Sequence, residues 1–382
     1  MREMKILQIA NGYFDSRLYA LLFSAMEQNS IKNQVYVPIR KDVRPPENSA
    51  DHLVAVPNFT QLDRALFYSK QRKMRCDIEE RSLWKGADII HAHTVFSGGY
   101  TAWRLHKKYD LPYIVAVRNT DVNTFFKYMV HLRKTGVKIM REAEKVIFLS
   151  PAYRSAVLQK NIPAKYRREI AEKSVVIPNG ISQLFFDHLA VPKTLADKSA
   201  VRLIYVGEIS RNKNMEETIS ACGLLREKGY AVSLTAVGAI SDESYRVKIS
   251  DCDFIEYHEK CPQEEVLQYM RQADIFVMPS HTETFGLAYA EAMSQGLPVL
   301  YTRGQGFDGQ FPDGTVGYAV SDTDAADLAE KIKLTIQNYT ELSENCIRLA
   351  KKFRWEDIAK EYGRIYEAAI KNHVSKTGKE MR

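Results

Sequence analysis

The stretch PSHTETFGLAYAEAMSQGLPVL (279–300) carries two carboxylates, Glu283 and Glu291, with seven residues between them in a run of otherwise small and apolar residues. A helix beginning near Phe285 would turn Leu287, Tyr289, Ala292 and Met293 toward a core, while Gly286 in its first turn would leave backbone N–H groups open to approach. Helix N-termini hold anions because their first amides are unpaired and the macrodipole is positive there. Glu283 stands just before that terminus, and eight residues of helix span roughly 12 Å. The two carboxylates can therefore address opposite ends of one elongated ligand, each accepting hydrogen bonds from pairs of hydroxyls, with amides for an anion between them. A sugar, a diphosphate and a ribose in line meet that order. For either glutamate alone, an acid favoured by the helix dipole or a solvated side chain is the competing reading.

The whole string resembles the signature of the group 1 (family 4) retaining glycosyltransferases: a Pro-Ser, a Glu, a Phe-Gly-Leu and a second Glu. The resemblance implies that Glu283 contacts a donor sugar, that the segment Thr284, Phe285, Gly286 and Leu287 holds the diphosphate, and that Glu291 holds the ribose. YVGEISRNKNMEETI (205–219) is similar to the family's strand-loop-helix in which an Arg and a Lys neutralise that diphosphate. Lys213 takes the lysine's place; Glu208 stands where the arginine is usual, and Arg211 on the same loop is the alternative second cation. YIVAVRNTDVNTFF (113–126) resembles the stretch in which the family has His-Gly-Ser-Asp, here Arg118, Asn119, Thr120 and Asp121. An arginine stays protonated and cannot act as a general base. It can hold a phosphate of the donor or of an anionic acceptor, or stabilise a departing one. The expected catalytic set is thus Glu283, Lys213 and Arg118, and the expected acceptor side is Gly12, His93, Arg118, Asn119 and Asp121.

ADIIHAHTVFSGG (87–99) puts His91 and His93 on one face of a strand, as a zinc pair would be. No third ligand has suitable spacing, so no metal is expected, and His93 is either a cleft-lining residue or a buried, hydrogen-bonded one. After the first apolar run, IANGYFDSR (9–17) offers Gly12 alone for a tight turn. The lack of GxGxxG argues against a dinucleotide oxidoreductase. YTRGQGFDGQF (301–311) follows a strand and either closes one side of the donor pocket or is a surface turn.

The elements that must position these residues are legible as well. Short apolar runs alternate with amphipathic stretches: MKILQIA, NQVYVPI, ADIIHAH, YIVAVR, KVIFLS and SVVIPNG, then VRLIYVGE, AVSLTAVG, DFIEYH, IFVMPS and LPVLYT. That is the pattern of βαβ units and parallel sheets, and HLAVPKTLADKSA (188–200) reads as a linker between two doubly wound α/β domains. Open α/β sheets bind ligands beyond the carboxyl ends of their strands, so two such domains would place donor and acceptor in the cleft between them. The family's architecture, two Rossmann-like domains called GT-B, agrees. It implies an acceptor-side domain over 1–190, a donor-binding domain over 199–360, and a last helix, about 361–382, returning to the first domain.

At 382 residues, 45% apolar and 26% charged, the chain has the composition of a soluble globular protein with two full cores. Its five cysteines form no close pair, which fits a reducing compartment, and MREMKILQIANGYF is too short an apolar start for a signal peptide or membrane span. A cytoplasmic protein is expected. The net charge of +7 divides unevenly: residues 1–198 hold 32 basic and 19 acidic side chains, the remainder 22 and 28. The basic excess lies in 127–145 and 153–168, where cations alternate with apolar residues at helical spacing. Such segments form core-facing helices with a solvated face, or a face that lies on the anionic inner surface of a membrane. No nucleic-acid-binding motif accompanies the charge. The resulting expectation is a retaining, metal-independent transferase without a cofactor, moving sugar from a nucleotide diphosphate to a saccharide or lipid-linked acceptor in cell-surface polysaccharide assembly. A sugar-nucleotide 2-epimerase is the nearest rival and a nucleic-acid-binding protein the remote one.

Overall fold

Apolar runs that do not alternate with polar residues become strands covered on both faces, as parallel sheets require. The computed structural model describes residues 3–44 and 52–378, and the chain in it divides into two units. One comprises residues 1–149, 154–178 and 355–382; the other comprises 150–153 and 179–354. Residues 179–190, expected in the first domain, go with the second because the Ala190 amide bonds to Ser294 and the Gln295 side chain to the Phe185 carbonyl.

The first unit is built on β1 (Met4–Ile9), β2 (Ile31–Arg40), β3 (Leu53–Phe59), β4 (Ile89–Ala92), β5 (Tyr113–Ala116), β6 (Lys145–Phe148) and β7 (Ser174–Val176). All pair in parallel, in the order β3-β2-β1-β4-β5-β6-β7. The order reverses between β1 and β4, which opens a crevice at their carboxyl ends. The helix Trp355–Thr377 completes this unit. Its Ile358, Ala359, Tyr362, Tyr366, Ala369 and Ile370 recur at helical period and enter one core with Leu22, Phe23, Met26 and Ile31.

The second unit carries β8 (Ala200–Val206), β9 (Ala231–Val237), β10 (Ile255–His258), β11 (Ile275–Met278), β12 (Val299–Thr302) and β13 (Gly317–Val320). They too are parallel, in the order β10-β9-β8-β11-β12-β13, with the reversal between β8 and β11. Two doubly wound domains of Rossmann type are therefore present. β3 and β13 were not among the expected strands; both lie at a sheet edge, and β3 tolerates Pro57 there because an edge strand can spare an N–H.

The basic segments of the first unit become helices. In 127–145 a short turn, Val130–Leu132, leads into the helix Arg133–Glu142, which buries Gly136, Val137, Ile139 and Met140. The stretch 153–168 is broken before Pro163, which precedes the helix Ala164–Glu172.

Candidate functional site

In the second unit the two strands beside the reversal, β8 and β11, each feed a loop and then a helix, so neighbouring strand ends bring distant sequence together. The β8 loop runs through the turn Arg211–Lys213 and Asn214 into the helix Met215–Glu227; the β11 loop runs through Glu283 and Gly286 into the helix Leu287–Ser294. The loops are stitched to each other. The His281 amide donates to the Asn212 carbonyl at 2.8 Å and the Asn212 side chain to the Thr282 carbonyl at 3.0 Å. Asn214 donates to the carbonyls of Pro279 (3.0 Å) and Asp322 (2.8 Å). This stitching sets Lys213 Nζ against Glu283 Oε2 in an ion pair whose side chains are only 22% and 13% exposed. The other carboxylate oxygen of Glu283 accepts from the Thr284 amide at 2.9 Å.

The helix begins at Leu287 instead of near Phe285, because Gly286 precedes it in the left-handed region, at φ 81° and ψ 79°. A side chain there would meet the Tyr289 ring 2.4 Å from its Cβ, and Tyr289 is buried with its hydroxyl donating to the Met278 carbonyl. No side chain caps this helix start, so its leading amides have no side-chain acceptor and are suited to an anion. Phe285 turns inward, edge-on to Phe353 at 5.7 Å, so its backbone is what remains for a ligand; Leu287 is half-buried. One side of the site is braced by the glycine-rich loop after β12. Gln305 accepts from the Glu283 amide at 3.1 Å and the Gly306 amide donates to the Glu283 carbonyl at 2.9 Å. Gly306 lies so close that a Cβ would stand 2.3 Å from the Thr284 carbonyl carbon. Gln305, Asn212 and Asn214 were not singled out in the sequence, where only the run of glycines hinted at a close approach.

Glu291 sits farther along the same helix, its residue keeping some contact with solvent while its carboxyl is packed among protein atoms, with the Gln263 amide group 3.5 Å from its Oε1. Burial pushes its carboxyl up to about 7, so near neutrality it exists in both the donor-capable and the acceptor-only form. Arg211 is exposed beside Lys213. Glu208, at the position where the family has an arginine, is exposed too, and its backbone carbonyl accepts from Tyr205 at 2.9 Å.

In the first unit the other expected residues follow the carboxyl ends of β1, β4 and β5. Their surroundings are mostly closed. Asp121, expected on the acceptor side, turns inward: fully buried, it accepts from the amides of Val95 (3.0 Å), Phe96 (3.0 Å) and Arg118 (2.9 Å). Burial raises its carboxyl to about 6 against the pull of those amides and of the Arg118 guanidinium. Asp121 thus ties the loop after β4 to the loop after β5. His93 is equally buried, bonded to Gln8 at 2.9 Å and packed edge-on to Tyr19 and Phe23, which makes it structural instead of open to a ligand. His91 stacks on it at 3.9 Å and bonds the Tyr366 hydroxyl at 2.8 Å. Burial holds both imidazoles well below their ordinary range, and the Arg118 charge adds to the effect. Among the described residues no group of three or more His, Cys, Asp or Glu is placed to hold a metal ion. Gly12 has φ −108°, a conformation open to any residue, so its turn does not demand glycine. Arg118 is half-buried, its charge lowering against burial the raised hydroxyl ranges of Tyr19 and Tyr362, while Asn119 is exposed and bonds Asn123. Among the described residues no helix is long and apolar enough to cross a membrane.

Comparison with known proteins places both units. Residues 17–183 match the family model Glycosyltransferase Family 4, and residues 190–353 match that of Glycosyl transferases group 1. A D-inositol 3-phosphate glycosyltransferase of Arthrobacter sp. (strain FB24) is 26% identical over 309 residues, covering 75% of this chain and 72% of that protein. Among solved structures, a sucrose-phosphate synthase from Thermosynechococcus elongatus superposes with a TM-score of 0.70 at 20% identity, covering 96% of this chain and 98% of that one. HepE of Anabaena, in complex with UDP and glucose, gives a TM-score of 0.64 at 17% identity, with 96% and 100% covered.

Proposed function

The chain belongs to the group 1 glycosyltransferases of GT-B fold, and from that premise we propose that it moves a sugar from a nucleotide diphosphate to a saccharide or lipid-linked acceptor with retention of configuration. The observation that carries this reading is the Lys213–Glu283 pair beside an uncapped helix start at the strand-order reversal. A cation and open amides suit the diphosphate, a carboxylate on one side suits sugar hydroxyls, and Glu291 farther along suits the ribose. HepE is described with UDP and glucose, a likeness that supports a nucleotide-sugar donor here.

In this reading the bond from the anomeric carbon to the phosphate oxygen breaks as the acceptor oxygen bonds to the same face, and the acceptor's proton passes to the departing phosphate. Lys213, Arg211 and the amides from Thr284 to Leu287 stabilise the charge that grows on the diphosphate. These groups supply positive charge without a metal or other cofactor. Glu283 orients the sugar. Arg118 offers a permanent positive charge to an anionic group of donor or acceptor and takes no proton. We place the reaction in cell-surface polysaccharide or glycolipid assembly, in the cytoplasm at the inner face of the membrane.

A panel of nucleotide sugars tests the donor: the true one raises thermal stability as RT ln(1 + [L]/Kd), about 2.7 kcal/mol at a hundredfold excess over Kd. NMR of the product then reads the anomeric configuration. Inversion would overturn the retaining mechanism, and conversion of the donor alone would point to a 2-epimerase.

A further inference from the structure

The helices Arg133–Glu142 and Ala164–Glu172 of the first unit wall a groove of about 610 Å³. Val137, Pro163 and Tyr166 give it an apolar lining, and Arg133, Lys134, Lys138 and Lys165 bring positive charge. Its two acids are already matched: Glu169 pairs with Arg141 at 2.7 Å, and Glu142 with Lys107 at 2.6 Å and the Trp103 indole N–H at 2.9 Å. Lys134 and Lys165 form no ion pair among the described residues. The charge left over is therefore positive.

Exposed apolar side chains lie on the segments that flank the helix Arg133–Glu142. Tyr128 (69% exposed) and Val130 (60%) stand just before the helix Arg133–Glu142, fixed to it by Arg133, which donates to the Phe126 carbonyl at 2.6 Å. From the other side Tyr68, half exposed, reaches Thr135 of the same helix at 3.5 Å, and Leu66 next to it is largely in water. A single exposed apolar residue needs no explanation, but four on the segments that flank the basic helix Arg133–Glu142 mark an interaction surface. A soluble polyanion would use the cations and leave the apolar side chains in water. An anionic bilayer uses both, with tyrosine at home in the headgroup layer.

We propose that this face docks on an anionic lipid bilayer, the groove receiving a lipid phosphate while Tyr128 and Val130 enter the headgroup layer. The proposal rests on the membrane part of the reading above and locates it. Each lysine near such a surface contributes about fivefold to partitioning.

Flotation with vesicles of phosphatidylcholine, with and without phosphatidylglycerol, tests it. The protein should float with anionic vesicles at low salt and be released as salt rises. The Lys134→Glu/Lys138→Glu variant should lose at least about 25-fold in partitioning. Tyr128→Ser/Val130→Ser should lose about tenfold, with little dependence on salt because apolar burial is not screened. Lys165→Glu, on the other helix, gives an independent charge test should the double variant fold poorly. Free glycerol phosphate should not displace the protein; displacement at millimolar levels would show a soluble-phosphate site and overturn the bilayer as occupant. Equal flotation with neutral and anionic vesicles, or charge-reversed variants that float like the parent, would overturn the proposal. Nucleoside diphosphate binding, followed by calorimetry in the same proteins, should be unchanged in all three variants. Its absence from the parent protein would count against the donor reading and leave the vesicle result standing.

Discussion

Replacing Lys213 by methionine removes the side-chain cation paired with Glu283 while keeping the length of the side chain. Two effects separate. A bound diphosphate loses one hydrogen bond between charged groups, about 1.5–3 kcal/mol, or roughly 10- to 150-fold in affinity. The free protein loses the partner of a carboxylate that is only 13% exposed. Breaking a fully buried pair costs about 3–5 kcal/mol; with Lys213 itself 22% exposed, solvent reduces this to about 1–3 kcal/mol. Glu283→Gln is the contrasting perturbation. It releases Lys213, so nucleoside diphosphate should bind as tightly as in the parent or more tightly, whereas sugar transfer should fall at least about tenfold because the sugar is no longer held in line. Isothermal titration of the diphosphate gives the first quantity, urea denaturation the second, and turnover with the identified donor the third. The reasoning fails if Lys213→Met binds diphosphate within twofold of the parent, or if Glu283→Gln loses as much affinity as Lys213→Met does.

Gly286→Ala should lower unfolding free energy by about 2–5 kcal/mol, combining left-handed backbone strain with displacement of the buried Tyr289 ring; urea titration measures it, and a loss under 1 kcal/mol would contradict the geometry. Burial raises the Glu291 carboxyl in the folded state to about 7, so the folded protein binds this proton more tightly than the unfolded chain and stability declines as pH rises from the ordinary carboxyl range through 7. Glu291→Gln should therefore melt higher than the parent at pH 8 and close to it at pH 4.5. If the ribose is held by the ionised form, parent affinity for nucleoside diphosphate should rise between pH 6 and pH 8 more steeply than the variant's, which keeps only the rise from the terminal phosphate's own ionisation. Tyr366→Phe deprives buried His91 of its 2.8 Å hydrogen bond and should cost about 1–3 kcal/mol in urea denaturation, without loss of diphosphate affinity.

The parallel sheets were legible because their strands are mostly short apolar runs between amphipathic stretches, and eleven of the strands stood out. GYAV, buried throughout but only four residues long, and LVAVPNF, interrupted by proline, did not: a run that short or broken does not stand out locally, although both strands complete sheet edges. Site legibility followed the same logic. Lys213 and Glu283 were readable because each lies in a local strand-loop-helix stretch that resembles the family's. Their pairing was not, since it depends on which strands lie side by side. Gln305 was silent for that reason as well, reaching the Glu283 amide from 22 residues away. Local reading placed Asp121 on the acceptor side and left His93 either lining a cleft or buried and hydrogen-bonded; the structure buries both. Polar residues at the end of a strand look available, yet here the amides of Val95, Phe96 and Arg118 consume the carboxylate and Gln8 takes the imidazole.

The helix Trp355–Thr377 lends its apolar face, and the Tyr366 hydroxyl, to a sheet whose last strand ends at Val176. On the ribosome, at about 5–20 residues per second, the intervening segment delays that helix by roughly 10–35 s. During this interval Leu22, Met26 and Ile31 lack the cover that Ile358, Tyr362 and Tyr366 give them in the finished protein. The second unit, nearly continuous from Asn179 to Arg354, has no such wait. Order of synthesis and order of completion are thus reversed: the unit translated first is the one finished last. A nascent chain arrested before Trp355 presents an open apolar sheet face to chaperones and proteases beside a second unit that already has all its strands.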